Sequence, residues 1–221
     1  MKRFFEVKAL TNNTAEVFIF GEITNYESED GMSSKMFKRE LDALGNVTTI
    51  HVHINSIGGS VFEGIAISNM LKQHKAKTIG HVDALAASIA SNIIASCDEV
   101  RMPANSMLMI HNAMIQTAGN AKEIRKAAED LERINEVQIQ TYMAKVGNKT
   151  TEANIRQLMA NETWLSAQEA YELGLCDVVE EIGSDKVIAL SDRERQKIIL
   201  DSKKNHAKVT AVLNKIKAEG Y

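Results

Sequence analysis

Two residues of this 221-residue chain are of the types that acyl transfer needs: a serine at position 88 and a histidine at position 111. A serine hydroxyl is a weak nucleophile until a neighbouring base takes its proton, and imidazole does this near neutral pH. Ser88 lies in Ala86-Ala87-Ser88-Ile89-Ala90, where an extended pattern gives way to a helical one. There the free N–H groups of a first helical turn favour developing negative charge, and the N–H of Ile89 could help hold an oxyanion. The plainer reading is a small residue that caps a helix or lets two helices approach. The glycine-flanked GxSxG elbow is absent, because Ala86 and Ala90 stand at its glycine positions. His111 follows the apolar run 107–110 and precedes Asn112-Ala113, which suits either a satisfied structural imidazole or a base aimed into a cleft.

The stretch 55–60 (Asn-Ser-Ile-Gly-Gly-Ser) leaves a strand pattern and enters a helical one. Its adjacent Gly58 and Gly59 could turn backbone N–H groups into a cavity, or simply make a tight turn. No GKS or GKT ending follows, which argues against a phosphate loop. His51 and His53 are two apart on one strand face with no third ligand near in sequence, so they read as strand-face residues and not as a metal pair. Cys97 and Cys176 form neither a disulfide framework nor a zinc pattern, which suits a reducing compartment, the cytoplasm.

These residues need a scaffold, and the periodicity supplies one. Alternating β-branched and aromatic residues predict strands at 15–23, 47–54, 77–82, 99–102, 107–110 and 176–180. Helical spacing predicts helices at 32–44, 61–74, 83–96, 121–146, 151–158 and 166–173. Strand–helix–strand order implies an α/β domain. A helix over 121–146 would be roughly 39 Å long, so one end should project or meet another subunit. Its apolar side carries Ile124, Leu131, Ile134 and Val137. We assign 1–183 to one domain and 184–221 to a C-terminal extension with a helical pattern at 191–218.

Composition is that of a soluble globular protein, 44% apolar and 25% charged with a net charge of −3, and carries no global signal for nucleic acid or membrane. Lys203, Lys204, Lys208, Lys215 and Lys217 make the tail locally basic. Glu6 and Lys8 interrupt any apolar core of a secretion signal. No run approaches the length of a membrane-spanning helix.

Four segments together resemble the ClpP family of serine peptidases: INSIGGS at 54–60, AASIAS at 86–91, PANSMLMIHNA at 103–113 and ETWLSAQEAYELGLCD at 162–177. Their order and spacing match from about residue 15 to 182, most closely to phage-encoded head-maturation (prohead) proteases. The resemblance implies the ClpP/crotonase-type α/β fold, with 121–146 as the long handle helix through which rings stack. It implies Ser88 as nucleophile, His111 as base, and Gly59 and Ile89 as oxyanion-hole donors. Glu162 falls where housekeeping members have the triad aspartate, with Asp98 and Asp177 as reserves for that carboxylate. No metal or organic cofactor is implied.

The resemblance further implies a ring homo-oligomer that cuts polypeptides, with phage capsid or scaffold protein as the expected substrate. Ile57 stands where housekeeping members have proline, and about fourteen residues precede the first expected strand. The short leading segment, together with a tail beyond Gly183 longer than in housekeeping members, sets the expectation of a peptidase with a dedicated substrate and a doubtful link to an unfoldase ATPase. The alternatives are the proteolytic subunit of an ATP-dependent protease, a crotonase-type acyl-CoA enzyme on the same fold, and a non-catalytic scaffold.

Overall fold

The computed structural model describes residues 5–9, 13–26 and 31–181. The extension expected at 184–221, its basic stretch and its helical pattern lie outside the described residues. Among the described residues nine strands form one sheet, with the path β1 (Phe5–Ala9), β2 (Thr14–Ile23), β4 (Thr49–Gly59), β5 (Lys77–Ala87), β6 (Glu99–Pro103) and β9 (Val178–Glu180). The two-residue β3 (Gly31–Met32) joins β2, and β7 (Met107–Ile110) joins both β5 and β8 (Thr163–Ser166). Pairing is parallel except for β1 with β2 and β7 with β8.

The helices are α1 (Ser34–Ala43), α2 (Val61–Gln73), α3 (Ile89–Ala95), α4 (Ala121–Val146), α5 (Glu152–Ala160) and α6 (Ala167–Leu173). Alternation along β2 and β4 sends Val17, Ile19, Val52 and Ile54 into the core, where Ile67 and Leu71 of α2 and all of α3 join them. This is the expected α/β architecture, and the strand–helix alternation explains why the sheet is mostly parallel.

Three differences from the sequence reading bear on the site. The first strand is β1, antiparallel to β2, and not the strand at 15–23. The segment 83–87, expected to be helical, continues β5, because Leu85, Ala86 and Ala87 pair with Met107, Leu108 and Met109 of β7. The stretch 55–59 is likewise strand and not loop, since β4 runs through it past a bulge at Ile54/Ser56.

The long helix has the predicted bounds, and a capping box explains its start: Asn120 accepts from the N–H groups of Lys122 and Glu123, while Glu123 accepts from Asn120 N–H. Its C-terminal half is anchored by buried Gln138, Ile139, Tyr142 and Val146. Its N-terminal half projects, leaving Ile124 48% exposed.

Candidate active site

β5 divides its pairing along its length. Its start runs beside β6, and its end runs beside β7. The parallel β5–β7 ladder continues one step past the strand, where Ser88 N–H donates to Met109 O at 2.9 Å. Ser88 therefore ends β5 level with the end of β7, and His111 is the residue just beyond β7. The imidazole meets the hydroxyl there, with His111 Nε2 2.7 Å from Ser88 Oγ. Sites at the carboxyl ends of parallel strands are the general rule for open α/β sheets.

Ser88 holds a backbone conformation rare for a non-glycine residue, φ 55° and ψ −130°. Such strain costs on the order of 1–3 kcal/mol and persists only where the surroundings over-determine it. Here they do. Besides the Met109 bond, Ser88 O accepts from Ser91 N–H at 3.0 Å and from Ser91 Oγ at 2.6 Å. Ser91 Oγ is in turn 2.7 Å from the hydroxyl of Tyr142, a buried residue of α4 whose phenol is pushed up to about 12 by burial. The Ser91–Tyr142 contact ties the turn at Ser88 to the long helix, which sequence reasoning missed.

Gly58 and Gly59 take φ values of 97° and 141°. A Cβ on Gly58 would lie 2.6 Å from Ser88 Cβ and 2.8 Å from Ala87 O. A Cβ on Gly59 would lie 2.1 Å from Ile23 O. Both positions thus require glycine on space and on backbone conformation alike. With Ser88 and His111 they line a cleft of about 280 Å³, whose other walls include Val61, Met109, Met114 and Gln138. Gly58 N–H is engaged by Ser56 Oγ at 3.1 Å. Ile89, the other expected oxyanion donor, follows Ser88 directly, and its N lies 3.2 Å from the position of a Gly58 Cβ.

Burial holds the His111 imidazole below its ordinary range, and the Glu162 carboxylate offsets this in part. A lowered pKa keeps His111 neutral, the form that accepts a proton. Glu162 reaches this neighbourhood through β8: Ile110 pairs with Thr163, so the antiparallel register extended by one residue sets Glu162 across from His111. Glu162 is exposed and has φ 47°. Among the described residues, nothing hydrogen-bonds His111 Nδ1.

The two reserve carboxylates are corrected out of the site. Asp98 accepts from Thr78 N–H and Thr78 Oγ1 and pairs with Lys72; Asp177 accepts from Val100 N–H and Lys145 Nζ. Thr78 lies near the start of β5, the opposite end from Ser88. Both carboxylates are held by these hydrogen bonds.

His51 and His53 are strand-face residues, as expected. They share that face with His81: His53 stacks on His81 at 4.6 Å, and His51 Nδ1 is 3.0 Å from His81 Nε2. Among the described residues, no group of three or more His, Cys, Asp or Glu is placed to hold a metal ion, and no helix is long and apolar enough to cross a membrane.

Comparison with known proteins gives the family. A family model described as "Clp protease" matches residues 2–183. The chain is 31% identical over 166 residues to the ATP-dependent Clp protease proteolytic subunit 2 of Treponema denticola, covering 74% of this chain and 80% of that one. It is 32% identical over 133 residues to the ATP-dependent Clp protease proteolytic subunit of Chlorella vulgaris, covering 59% and 65%. It is 26% identical over 180 residues to proteolytic subunit 1 of Prochlorococcus marinus subsp. pastoris, covering 80% and 89%. With a serine, an imidazole and two glycines gathered at one cleft, and a family match across most of its length, the chain belongs to the Clp protease family and is a serine peptidase.

Proposed function

We propose that the protein cleaves polypeptides through an acyl-enzyme on Ser88, as the proteolytic component of an ATP-dependent system. The observation that carries the chemistry is the 2.7 Å approach of His111 Nε2 to Ser88 Oγ. His111 takes the hydroxyl proton as Ser88 Oγ bonds to the scissile carbonyl carbon. The backbone at Gly59 and Ile89 donates to the oxyanion. The same proton passes from His111 to the departing amine as the C–N bond breaks. Water, deprotonated by His111, then attacks the ester and frees Ser88. Glu162 stabilises the imidazolium by charge across a gap, since its carboxylate raises the His111 pKa without a hydrogen bond to it.

The assembly reading is a ring of identical subunits joined through α4, supported by its projecting, partly apolar first half. An ATP-driven unfoldase as partner rests on the names of the relatives, which are called proteolytic subunits of an ATP-dependent protease. Those names favour turnover of many substrates over the narrower expectation of a phage capsid or scaffold substrate. A cytoplasmic setting belongs to the same proposal, in keeping with two cysteines that are both buried and free.

The deciding experiment incubates the purified protein with a folded model substrate, with and without a Clp-type unfoldase and ATP. Degradation only in the complete mixture supports the proposal. Limited cleavage of a capsid or scaffold polypeptide without ATP would return the reading to a dedicated maturation protease.

A further inference from the structure

The cleft beside Ser88 holds a carboxylate that the reaction above does not use. Glu22, near the end of β2, is exposed and lines that cleft together with Ser88, His111, Gly58 and Gly59. An irregularity in the sheet puts it there. The pairing of β2 with β4 shifts between Phe20 and Glu22, where Gly21 takes a φ of 94°. Phe20 stands opposite Asn55, yet Glu22, two residues on, stands opposite Gly58 in place of Ile57. An irregularity of this kind re-aims a side chain beside a site. Gly58 in turn abuts Ser88, since a Cβ on it would lie 2.6 Å from Ser88 Cβ. One strand, β4, therefore separates Glu22 from the end of β5 that carries Ser88.

This carboxylate has no counter-charge of its own. Among the described residues no hydrogen bond or ion pair engages Glu22. No lysine or arginine lines the cleft. Nor does Glu22 serve the base: burial lowers His111 and Glu162 raises it, with no part for Glu22. Much of the remaining wall is apolar. Ile57, Val61, Met109 and Met114 line the cleft, with Ile57 69% and Met114 74% exposed. An apolar wall beside an unpaired carboxylate matches one kind of side chain, a long methylene stem that ends in a cation. Lysine and arginine have that form. An acidic side chain would meet like charge, and a neutral one would leave the carboxylate to water.

Resting on the peptidase reading above, we infer that Glu22 is a specificity-determining residue, favouring polypeptides with a lysine or arginine within two residues of the bond that Ser88 cleaves.

The test is a series of internally quenched peptides assayed on the full-length assembled protein. Each of the two residues on either side of the scissile bond is made in turn lysine, norleucine or glutamate, norleucine supplying the stem without the charge. Reaction with a fluorophosphonate probe fixes the active fraction of each preparation. At one or more of these positions lysine should exceed norleucine in kcat/KM by roughly twofold to fivefold, the range of a solvent-exposed ion pair. Glutamate should fall below norleucine there, and both gaps should narrow as salt rises. In Glu22→Gln the ratio of lysine to norleucine should drop to about one, and in Glu22→Lys glutamate should overtake lysine. The acid limb of the pH profile should stay in place in Glu22→Gln, as a residue that acts on substrate and not on His111 requires; a shifted limb would overturn the inference. So would a wild type that favours lysine at none of the four positions, or a lysine preference that survives both substitutions. Failure of the probe to label Ser88 would overturn the peptidase reading and this inference with it; labelling without a lysine preference overturns this inference alone.

Discussion

His111 Nε2 lies 2.7 Å from Ser88 Oγ because the parallel ladder of β5 and β7 carries on for one residue beyond β5, with Ser88 N–H donating to Met109 O. The Ser88–His111 contact is therefore a consequence of strand register. Neither side chain has to be held by a loop of its own, and the geometry is as rigid as the sheet.

That pairing sets a pH profile. Burial lowers the His111 pKa and Glu162 raises it in part. Since the base must be unprotonated, the acid limb of kcat/KM should fall below the ordinary histidine value of about 6.5. Glu162→Gln removes the raising charge, so its acid limb should move to still lower pH. Its rate above neutrality should fall by at most about 10⁴-fold, the loss seen when a triad carboxylate is removed. Glu162→Asp should keep part of the activity. A limb that stays in place in Glu162→Gln would show that the carboxylate does not act on His111.

Gly58→Ala should cripple the site and loosen the fold. Its Cβ would meet Ser88 Cβ at 2.6 Å and Ala87 O at 2.8 Å, at a φ of 97° that alanine resists. The expected cost is about 1–3 kcal/mol or more, since the atoms in the way are backbone and the Cβ of Ser88. Urea unfolding and fluorophosphonate reactivity should both drop, and an unchanged midpoint would contradict the packing described.

The histidine stack predicts acid sensitivity. His81 is lowered to about 4, first by burial and then by His53, His51 and Arg101, with Asp83 opposing. Between about 4 and 6.5 the unfolded chain binds a proton at this position that the folded one does not. Stability should therefore decline as pH falls through that window and gain nothing from this residue above it. His81→Gln should flatten the decline, measured as the urea midpoint against pH. An equally steep decline in the variant would assign the sensitivity elsewhere.

For assembly, the projecting half of α4 is the part to alter. Ile124 is 48% exposed there, whereas Leu131 is partly covered by its own protomer. Ile124→Asp should split the oligomer into smaller species in sedimentation velocity while the thermal unfolding of the protomer stays put. Wild-type protein sedimenting as a monomer at micromolar concentration would count against a ring.

The fold was legible in the sequence where the signal was local. The long helix was legible at its observed bounds from the apolar spacing of Ile124, Leu131, Ile134 and Val137 among charges, and the capping box of Asn120 and Glu123 explains its start. Ser88 and His111 were legible as types at suggestive junctions, and four segments in register made them specific. What depended on distant partners was not legible. Residues 83–87 carry small side chains without a period, and only β7 makes them a strand. Asp98 and Asp177 looked available until Thr78, Val100 and Lys145 were seen to claim them. The burial of Gln138 and Asn92 follows from α3 packing on α4, a contact between segments over forty residues apart.

The most direct test of the account is to react the assembled protein with a fluorophosphonate probe and map the adduct by mass spectrometry. The account predicts one adduct per subunit on the hydroxyl of Ser88, lost in Ser88→Ala together with peptidase activity, a fall on the order of a millionfold in kcat. Labelling of a different serine, or near-normal peptide cleavage by Ser88→Ala, would contradict it.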